Sequence, residues 1–169
     1  MIGKLLEIDD RLSIWLRIAE EPGLRRRLAV LLAHSGDSWF WLLGLGLLWL
    51  VGSAEWKSLA LTLFAGILIT AVLVLLIKFS VRRQRPPGTW GNIYRSTDPH
   101  SFPSGHAARS MMLAVLSMYV GPAWLGWLLL AWSPLVGLAR VAMGVHYLSD
   151  VVAGIFFGLL AGYGIYLLF

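Results

Sequence analysis

The chain has 169 residues, of which 58% are hydrophobic and only 14% are charged, with a formal net charge of +5 and no cysteine. A soluble domain carries about 25% charged residues, so the composition excludes a water-soluble globular domain, and the lack of cysteine excludes disulfides and thiolate catalysis. The basic residues adjoin apolar runs, which favours anionic lipid or phosphate over nucleic acid as the partner. We therefore expect an integral membrane protein that acts in the bilayer.

The N-terminal segment, residues 1–27, is predicted to lie in the membrane interface. Ile8, Leu12 and Trp15 recur at helical spacing and share one face, while the charged residues fall elsewhere. This pattern is typical of an amphipathic helix that lies on a membrane and does not cross it.

The remaining residues, 28–169, are predicted to form a bundle of about five transmembrane helices. A hydrocarbon core of about 30 Å requires about 20 helical residues, and the chain contains several apolar runs of about this length. The predicted spans are residues 38–54, 58–77, 104–121, 123–139 and 147–169. We therefore expect an all-α fold in which residues 1–169 form a single membrane-embedded domain.

The polar clusters between the spans are predicted to meet at one membrane face. The second span ends at Lys78 and the third begins at Ser104, while the fourth ends near Arg140 and the fifth begins near His146. Two spans arrive at this face and two leave from it. The clusters therefore converge at the mouth of the bundle.

The cations in these clusters predict an anion-binding site. Lys78, Arg85 and Arg140 supply positive charge, and the free backbone N–H groups at Ser104 and Gly105 begin the third helix. Glycine lets an oxyanion approach the backbone closely, and arginine favours bidentate contact with phosphate oxygens. The expected ligand is therefore a phosphate.

Two histidines make this binding site a predicted reaction centre. His146 and Asp150 are four residues apart, so on a helix the carboxylate can fix the imidazole tautomer and leave the other nitrogen as a nucleophile. His106 can donate a proton to a leaving oxygen. Together they predict phosphoryl transfer through a phosphohistidine, with no metal ion or cofactor.

The spaced motifs resemble the three signatures of the type 2 phosphatidic acid phosphatase (PAP2) superfamily. Those signatures are lysine, six residues and Arg-Pro; then Pro-Ser-Gly-His; then Ser-Arg, five residues, His, three residues and Asp. The chain contains KFSVRRQRP, PSGH and ARVAMGVHYLSD, with Ala139 in place of the serine of the third signature. Three motifs in the right order form a specific signal, whereas each alone is weak.

The resemblance implies a membrane phosphatase domain that acts on a lipid phosphomonoester or diphosphate, such as a prenyl diphosphate, phosphatidic acid or phosphatidylglycerophosphate. It implies catalytic roles for His146 as nucleophile, Asp150 as its orienting carboxylate and His106 as general acid. The residues that it implies for phosphate binding are Lys78, Arg85, Ser104, Gly105 and Arg140.

Two other classes of protein share part of this pattern. Vanadium-dependent haloperoxidases have similar motifs, but they are soluble proteins, whereas this chain has the composition of a membrane protein. A non-enzymatic membrane protein that binds or moves phospholipids would need the cations, although it would need neither histidine in register.

The sequence also gives expectations for residues beside the motifs. Arg82 and Arg83 are predicted to be interfacial anchors at a span end. Asp37 is predicted to cap the first span, with a role in the site as the alternative, and Arg109 is either structural or in contact with substrate. A stripe of small residues predicts close helix packing. Its members are Gly154, Gly158 and Gly162.

The distribution of positive charge predicts the orientation in the cell membrane. Of the fourteen lysines and arginines, only Lys57 lies in a loop or terminus on the face opposite the site. The positive-inside rule then places the site on the cytoplasmic face. Family members that the chain resembles often act on the outer face, so the two criteria disagree.

Overall fold

A computed structural model of the protein describes residues 2–88 and 98–168. Within these ranges the structure is all-helical, as predicted, with seven helices and no β-strand. The helices are α1 (Ile2–Trp15), α2 (Leu24–Ser35), α3 (Ser38–Val51), α4 (Ala54–Val81), α5 (Gly105–Val120), α6 (Ala123–Ala142) and α7 (Leu148–Tyr166). The middle of the polar loop between the second and third predicted spans, residues 89–97, lies outside the described residues.

Each predicted span corresponds to a helix, but the helices differ in how well they fit a bilayer. Three of them, α4, α6 and α7, are long and apolar enough to cross a membrane, and α2 with α3 makes a fourth if their bend of 57° interrupts one span. Helix α5 has 16 residues, or about 24 Å, which is shorter than the hydrocarbon core of about 30 Å. The all-α membrane bundle is confirmed, with three or four candidate spans among the described residues where about five were expected.

Helix α5 forms the centre of the bundle. Ten of its sixteen residues are buried, and α4, α6 and α7 all pack against it. Leu113 and Leu116 of α5 join Leu63 and Ile67 of α4 in the main apolar cluster. Since lipid is as apolar as these side chains, close packing is what holds the helices together.

Helix α7 packs against α5 through the predicted glycine stripe. An added Cβ at Gly158 would lie 2.1 Å from the carbonyl oxygen of Ala108, and one at Gly154 would lie 2.5 Å from that of Ser104. The two backbones therefore touch, and their contact fixes the distance between the motif that begins α5 and the motif that enters α7.

Helix α1 lies against the start of α7 with its polar side inward. Asp9 accepts a hydrogen bond from the backbone N–H of Ser149 at 2.9 Å, and the Ser13 hydroxyl accepts one from the neighbouring backbone at 2.9 Å. Leu12 and Trp15 are 43% and 80% exposed. This arrangement suits a helix whose apolar side faces lipid at the membrane interface.

Candidate active site

The ends of α4, α5 and α6 and the segment before α7 meet at one end of the bundle, around a cavity of about 520 Å³. The predicted site residues that line it are Lys78, Arg85, Gly105, His106, Arg140 and His146. The other two, Ser104 and Asp150, are completely buried behind this wall. The structure thus brings all eight predicted residues together at one end of the bundle, where the polar clusters were expected to meet.

His146 lies between α6 and α7 and has a different partner on each ring nitrogen. Its Nδ1 is 3.4 Å from Oδ2 of Asp150, and its Nε2 is 3.2 Å from Nη1 of Arg85. Asp150 Oδ2 also accepts the backbone N–H of Tyr147 at 3.0 Å, which fixes the carboxylate at the start of α7. These contacts assign the proton to Nδ1 and the lone pair to Nε2, because an arginine can only donate.

The surroundings keep the His146 imidazole neutral. Burial lowers the pKa of His146 to about 3; the hydrogen bond with Asp150 opposes the shift, and the charges of Arg85 and Arg140 add to it. At pH 7 the ring is therefore unprotonated on Nε2, as nucleophilic attack requires.

Arg83 links Asp150 to the N-terminal helix. Its Nη1 donates to Asp150 Oδ1 at 2.7 Å and its Nη2 to Asp9 Oδ2 at 2.7 Å. Its guanidinium lies over the Tyr147 ring, 4.0 Å from the centroid. Beyond the interfacial position that the sequence suggested for Arg83, the side chain holds the carboxylate that pairs with His146.

Lys78 and Arg85 converge on one carboxylate, that of Asp98, which sequence reasoning did not single out. Arg85 Nη2 donates to Asp98 Oδ2 at 2.8 Å, and Lys78 Nζ donates to the same oxygen. Arg85 Nη1 also donates to the carbonyl of Val145 at 2.8 Å. These two cations can therefore reach a single anionic oxygen.

His106 enters the cavity from the first turn of α5, where Asp37 binds it. The distance from His106 Nε2 to Asp37 Oδ1 is 2.7 Å. Asp37 occupies the N-cap position of α3, yet its side chain makes no capping hydrogen bond. The prediction that Asp37 caps this span is therefore wrong for the side chain, which turns toward His106.

Arg109 lies one turn after His106, and its role was left open by the sequence. It lines the cavity and also clamps the break between α2 and α3. Its Nε donates to the carbonyl of Gly36 at 3.0 Å and its Nη1 to the Ser38 hydroxyl at 2.6 Å. A structural role is thus observed.

Ser104 of the second motif and Ala139 of the third motif have different surroundings. The Ser104 N–H donates to the carbonyl of Asp150 at 2.9 Å, while its buried hydroxyl has no hydrogen-bond partner among residues 2–88 and 98–168. Ala139, which replaces the motif serine, packs in an apolar cluster with Ala29 and Ala33 of α2. A methyl group suits that position.

Part of the lining of the cavity is apolar. It consists of Trp39, Ala71, Val74 and Leu75, of which Trp39 is 65% and Leu75 47% exposed. The cavity therefore combines cationic and apolar lining residues, and two of the apolar ones, Trp39 and Leu75, are also exposed at the outer surface of the protein. Among residues 2–88 and 98–168, no group of three or more His, Asp or Glu side chains is placed to hold a metal ion.

Comparison with known protein families identifies relatives along most of the chain. The model of the PAP2 superfamily matches residues 59–169. The chain is 31% identical over 158 residues to decaprenylphosphoryl-5-phosphoribose phosphatase from Mycobacterium tuberculosis, covering 92% of this chain and 86% of the relative. It is 30% identical over 131 residues to undecaprenyl-diphosphatase from Sulfolobus acidocaldarius, covering 75% and 62%.

The fold is also found in a solved structure. The transmembrane PAP2-type phosphatidylglycerolphosphate phosphatase from Bacillus subtilis superimposes with a TM-score of 0.75, over 96% of this chain and 84% of that one, at 20% sequence identity. At this identity the likeness concerns the fold alone. With the family model covering well over half of its length, this multi-pass membrane protein belongs to the PAP2 superfamily, as its three motifs predicted.

Proposed function

We propose that this protein removes the terminal phosphate from a lipid phosphomonoester or diphosphate, of the prenyl diphosphate, phosphatidic acid or phosphatidylglycerophosphate type. The observation that carries the proposal is a single cavity lined by a neutral His146, by cations and by apolar side chains. The relatives support it, since they are phosphatases and two of them are named for substrates with a decaprenyl or undecaprenyl chain.

The phosphate group would bind at the cations that line the cavity. Lys78 and Arg85, which here hold the Asp98 carboxylate, would exchange it for phosphate oxygens, and Arg140 would add a third charge. Gly105 lets an oxygen approach the start of α5, where backbone N–H groups point outward. Ser104 would contribute its buried hydroxyl from behind.

In the first step the lone pair of His146 Nε2 would attack phosphorus. A P–N bond forms while the bond from phosphorus to the leaving oxygen breaks, and His106 gives that oxygen a proton. Asp150 holds Nδ1–H and stabilises the positive charge that the imidazole gains. The products are a phosphohistidine and the shortened lipid.

In the second step a water molecule would attack the phosphohistidine. His106, now unprotonated, takes a proton from this water as it adds to phosphorus, and the P–N bond breaks to release inorganic phosphate and neutral His146. The cationic residues balance the charge on the phosphoryl oxygens throughout. The scheme uses no metal ion and no cofactor.

The apolar lining residues would accommodate the first part of the lipid tail. Because Trp39 and Leu75 are exposed on the outside of the bundle, a substrate could place its head group in the cavity while its tail stays in the bilayer. This geometry favours lipid phosphates over soluble ones.

Phosphate release by the purified protein in detergent tests the proposal. Undecaprenyl diphosphate, phosphatidic acid and phosphatidylglycerophosphate should be compared, with His146→Gln as the test variant and His100→Gln as the control, since His100 does not line the cavity. His146→Gln should lose at least about 1,000-fold in kcat, and His100→Gln should match the wild type.

Two outcomes would contradict the proposal. Full turnover in His146→Gln would rule out the phosphohistidine route. If the wild type binds these lipids but releases no phosphate from any of them, the protein would instead be a non-enzymatic phospholipid-binding or lipid-moving member of the superfamily.

A further inference from the structure

The second histidine of the site has its own carboxylate, supplied by a part of the chain that precedes all three motifs. Asp37 Oδ1 lies 2.7 Å from His106 Nε2, and both side chains are largely buried. Among the described residues no other hydrogen bond to the His106 ring is present, so Nδ1 is the nitrogen that is left for a reacting oxygen.

Asp37 reaches His106 because the chain breaks between α2 and α3. The two helices meet at 57°, and the break is held by Arg109 of α5, which donates to the Gly36 carbonyl and to the Ser38 hydroxyl. Arg109 and His106 belong to the same helix, one turn apart. The helix that carries the histidine therefore also fixes the position of the carboxylate.

Glycine at position 36 permits this approach. An added Cβ would lie 3.3 Å from His106 Cδ2 and 2.7 Å from Val136 Cγ1. The backbone of the break thus packs directly against the imidazole, and no side chain separates them.

The remaining contacts of Asp37 hold its carboxylate in one orientation. Its Oδ2 accepts the indole N–H of Trp39 at 3.3 Å and lies 2.9 Å from Nδ1 of His34, whose side chain is 45% exposed. The side chain makes no hydrogen bond that caps α3. The carboxylate therefore binds the two histidines and does not stabilise the start of the helix.

We infer that Asp37 is a positioning residue for the proton transfers of His106, through a hydrogen bond from Nε2–H to Oδ1. The bond keeps the proton of the neutral ring on Nε2 and turns Nδ1 toward the substrate, and the negative charge stabilises the imidazolium that must protonate the leaving oxygen. This site would thus contain two histidine–carboxylate pairs, Asp150 with the nucleophile and Asp37 with the acid. The inference rests on the function proposed above.

The kinetic test compares leaving groups. Asp37→Asn keeps the shape of the side chain but removes its charge, and Asp10→Asn is a matched control on an exposed carboxylate. On the lipid monoester that the wild type hydrolyses fastest, kcat/KM of Asp37→Asn should fall at least about 10-fold. On p-nitrophenyl phosphate, whose leaving group needs little protonation, it should change by less than about 3-fold.

A double variant separates positioning from a general structural effect. In a His106→Ala background, Asp37→Asn should cause no further loss of kcat/KM, because the residue it acts through is already gone. Equal losses on both substrates, or an additional loss in the His106→Ala background, would overturn the inference.

A measurement that does not depend on catalytic turnover can test the Asp37–His106 pairing separately from the proposed function. The chain has four histidines, so nitrogen-15 NMR of histidine-labelled protein can assign each ring with single His→Gln variants. His106 should carry its proton on Nε2 in the wild type and shift toward Nδ1–H in Asp37→Asn. An unchanged tautomer would overturn the pairing even in an active enzyme, whereas the expected shift in a protein that releases no phosphate would contradict only the proposed function.

Discussion

Replacing Gly158 by alanine is expected to force α5 and α7 apart. The new Cβ would lie 2.1 Å from the carbonyl oxygen of Ala108 and 2.9 Å from its carbonyl carbon, whereas ordinary contact begins at 3.4 Å. Both neighbours are backbone atoms of a buried helix, so they cannot rotate away as a side chain could. The distance from the new Cβ to the Ala108 oxygen must grow from 2.1 Å to at least 3.0 Å, and overpacking of this kind costs about 1–3 kcal/mol.

Gly164→Ala on the same helix is the matched control, because an added Cβ there has no heavy atom within 4 Å. Alanine is favoured over glycine inside a helix by about 0.5–1 kcal/mol, so this variant should be as stable as the wild type or more so. In thermal unfolding of the purified protein in detergent, Gly158→Ala should lower the Tm by about 2–12 °C. Its phosphatase activity should fall as well, since α5 and α7 hold His106 and Asp150. A Tm for Gly158→Ala equal to that of Gly164→Ala would refute the direct backbone contact.

Three further predictions concern pH, metal ions and orientation. Because a histidine in the unfolded chain has a pKa of about 6.5 and His146 in the folded protein has a pKa of about 3, the unfolded state binds more protons between these values. The free energy of unfolding should therefore fall as the pH drops below about 6.5, and less steeply in His146→Gln; equal slopes would contradict this. Phosphate release should persist in excess EDTA and be inhibited by vanadate, whereas loss on chelation with recovery in magnesium would indicate a different mechanism. A C-terminal alkaline phosphatase fusion should be active and a C-terminal green fluorescent protein fusion dim, and the reverse pattern would place the site on the outer face.

The residues that the sequence could place are those whose positions follow from topology. Lys78 and Arg140 lie in the last turns of α4 and α6, while Gly105 begins α5 and His146 precedes α7, so the alternating direction of consecutive helices is enough to bring them to one end of the bundle. No side-chain detail is needed for that conclusion. The motif spacing then adds chemistry: His146 and Asp150 were expected to pair on one helix face, and they do lie 3.4 Å apart, although α7 begins at Leu148 and His146 precedes it.

The residues that the sequence could not place depend on how irregular segments bend. The position of Asp37 before an apolar run is typical of a helix cap, and only the angle between α2 and α3 turns its side chain toward His106. Asp98 lies in a polar loop with no periodicity, and its contact with Lys78 spans twenty residues of chain. Hydropathy alone also did not predict the number of spans correctly, because it does not show where a helix ends. Helix α5 has only 16 residues.

Two carboxylates from the N-terminal part of the chain contact the residues of the motif region, and this limits which segments can be exchanged between relatives. The family match starts at residue 59, and a chain cut there would keep every motif residue. It would nevertheless lose Asp9, which shares Arg83 with Asp150, and Asp37, which holds His106. Chimeras or truncations that treat the motif region as a self-contained module would leave Arg83 and His106 each short of a carboxylate, so a swap between relatives has to carry the N-terminal helices with the motifs.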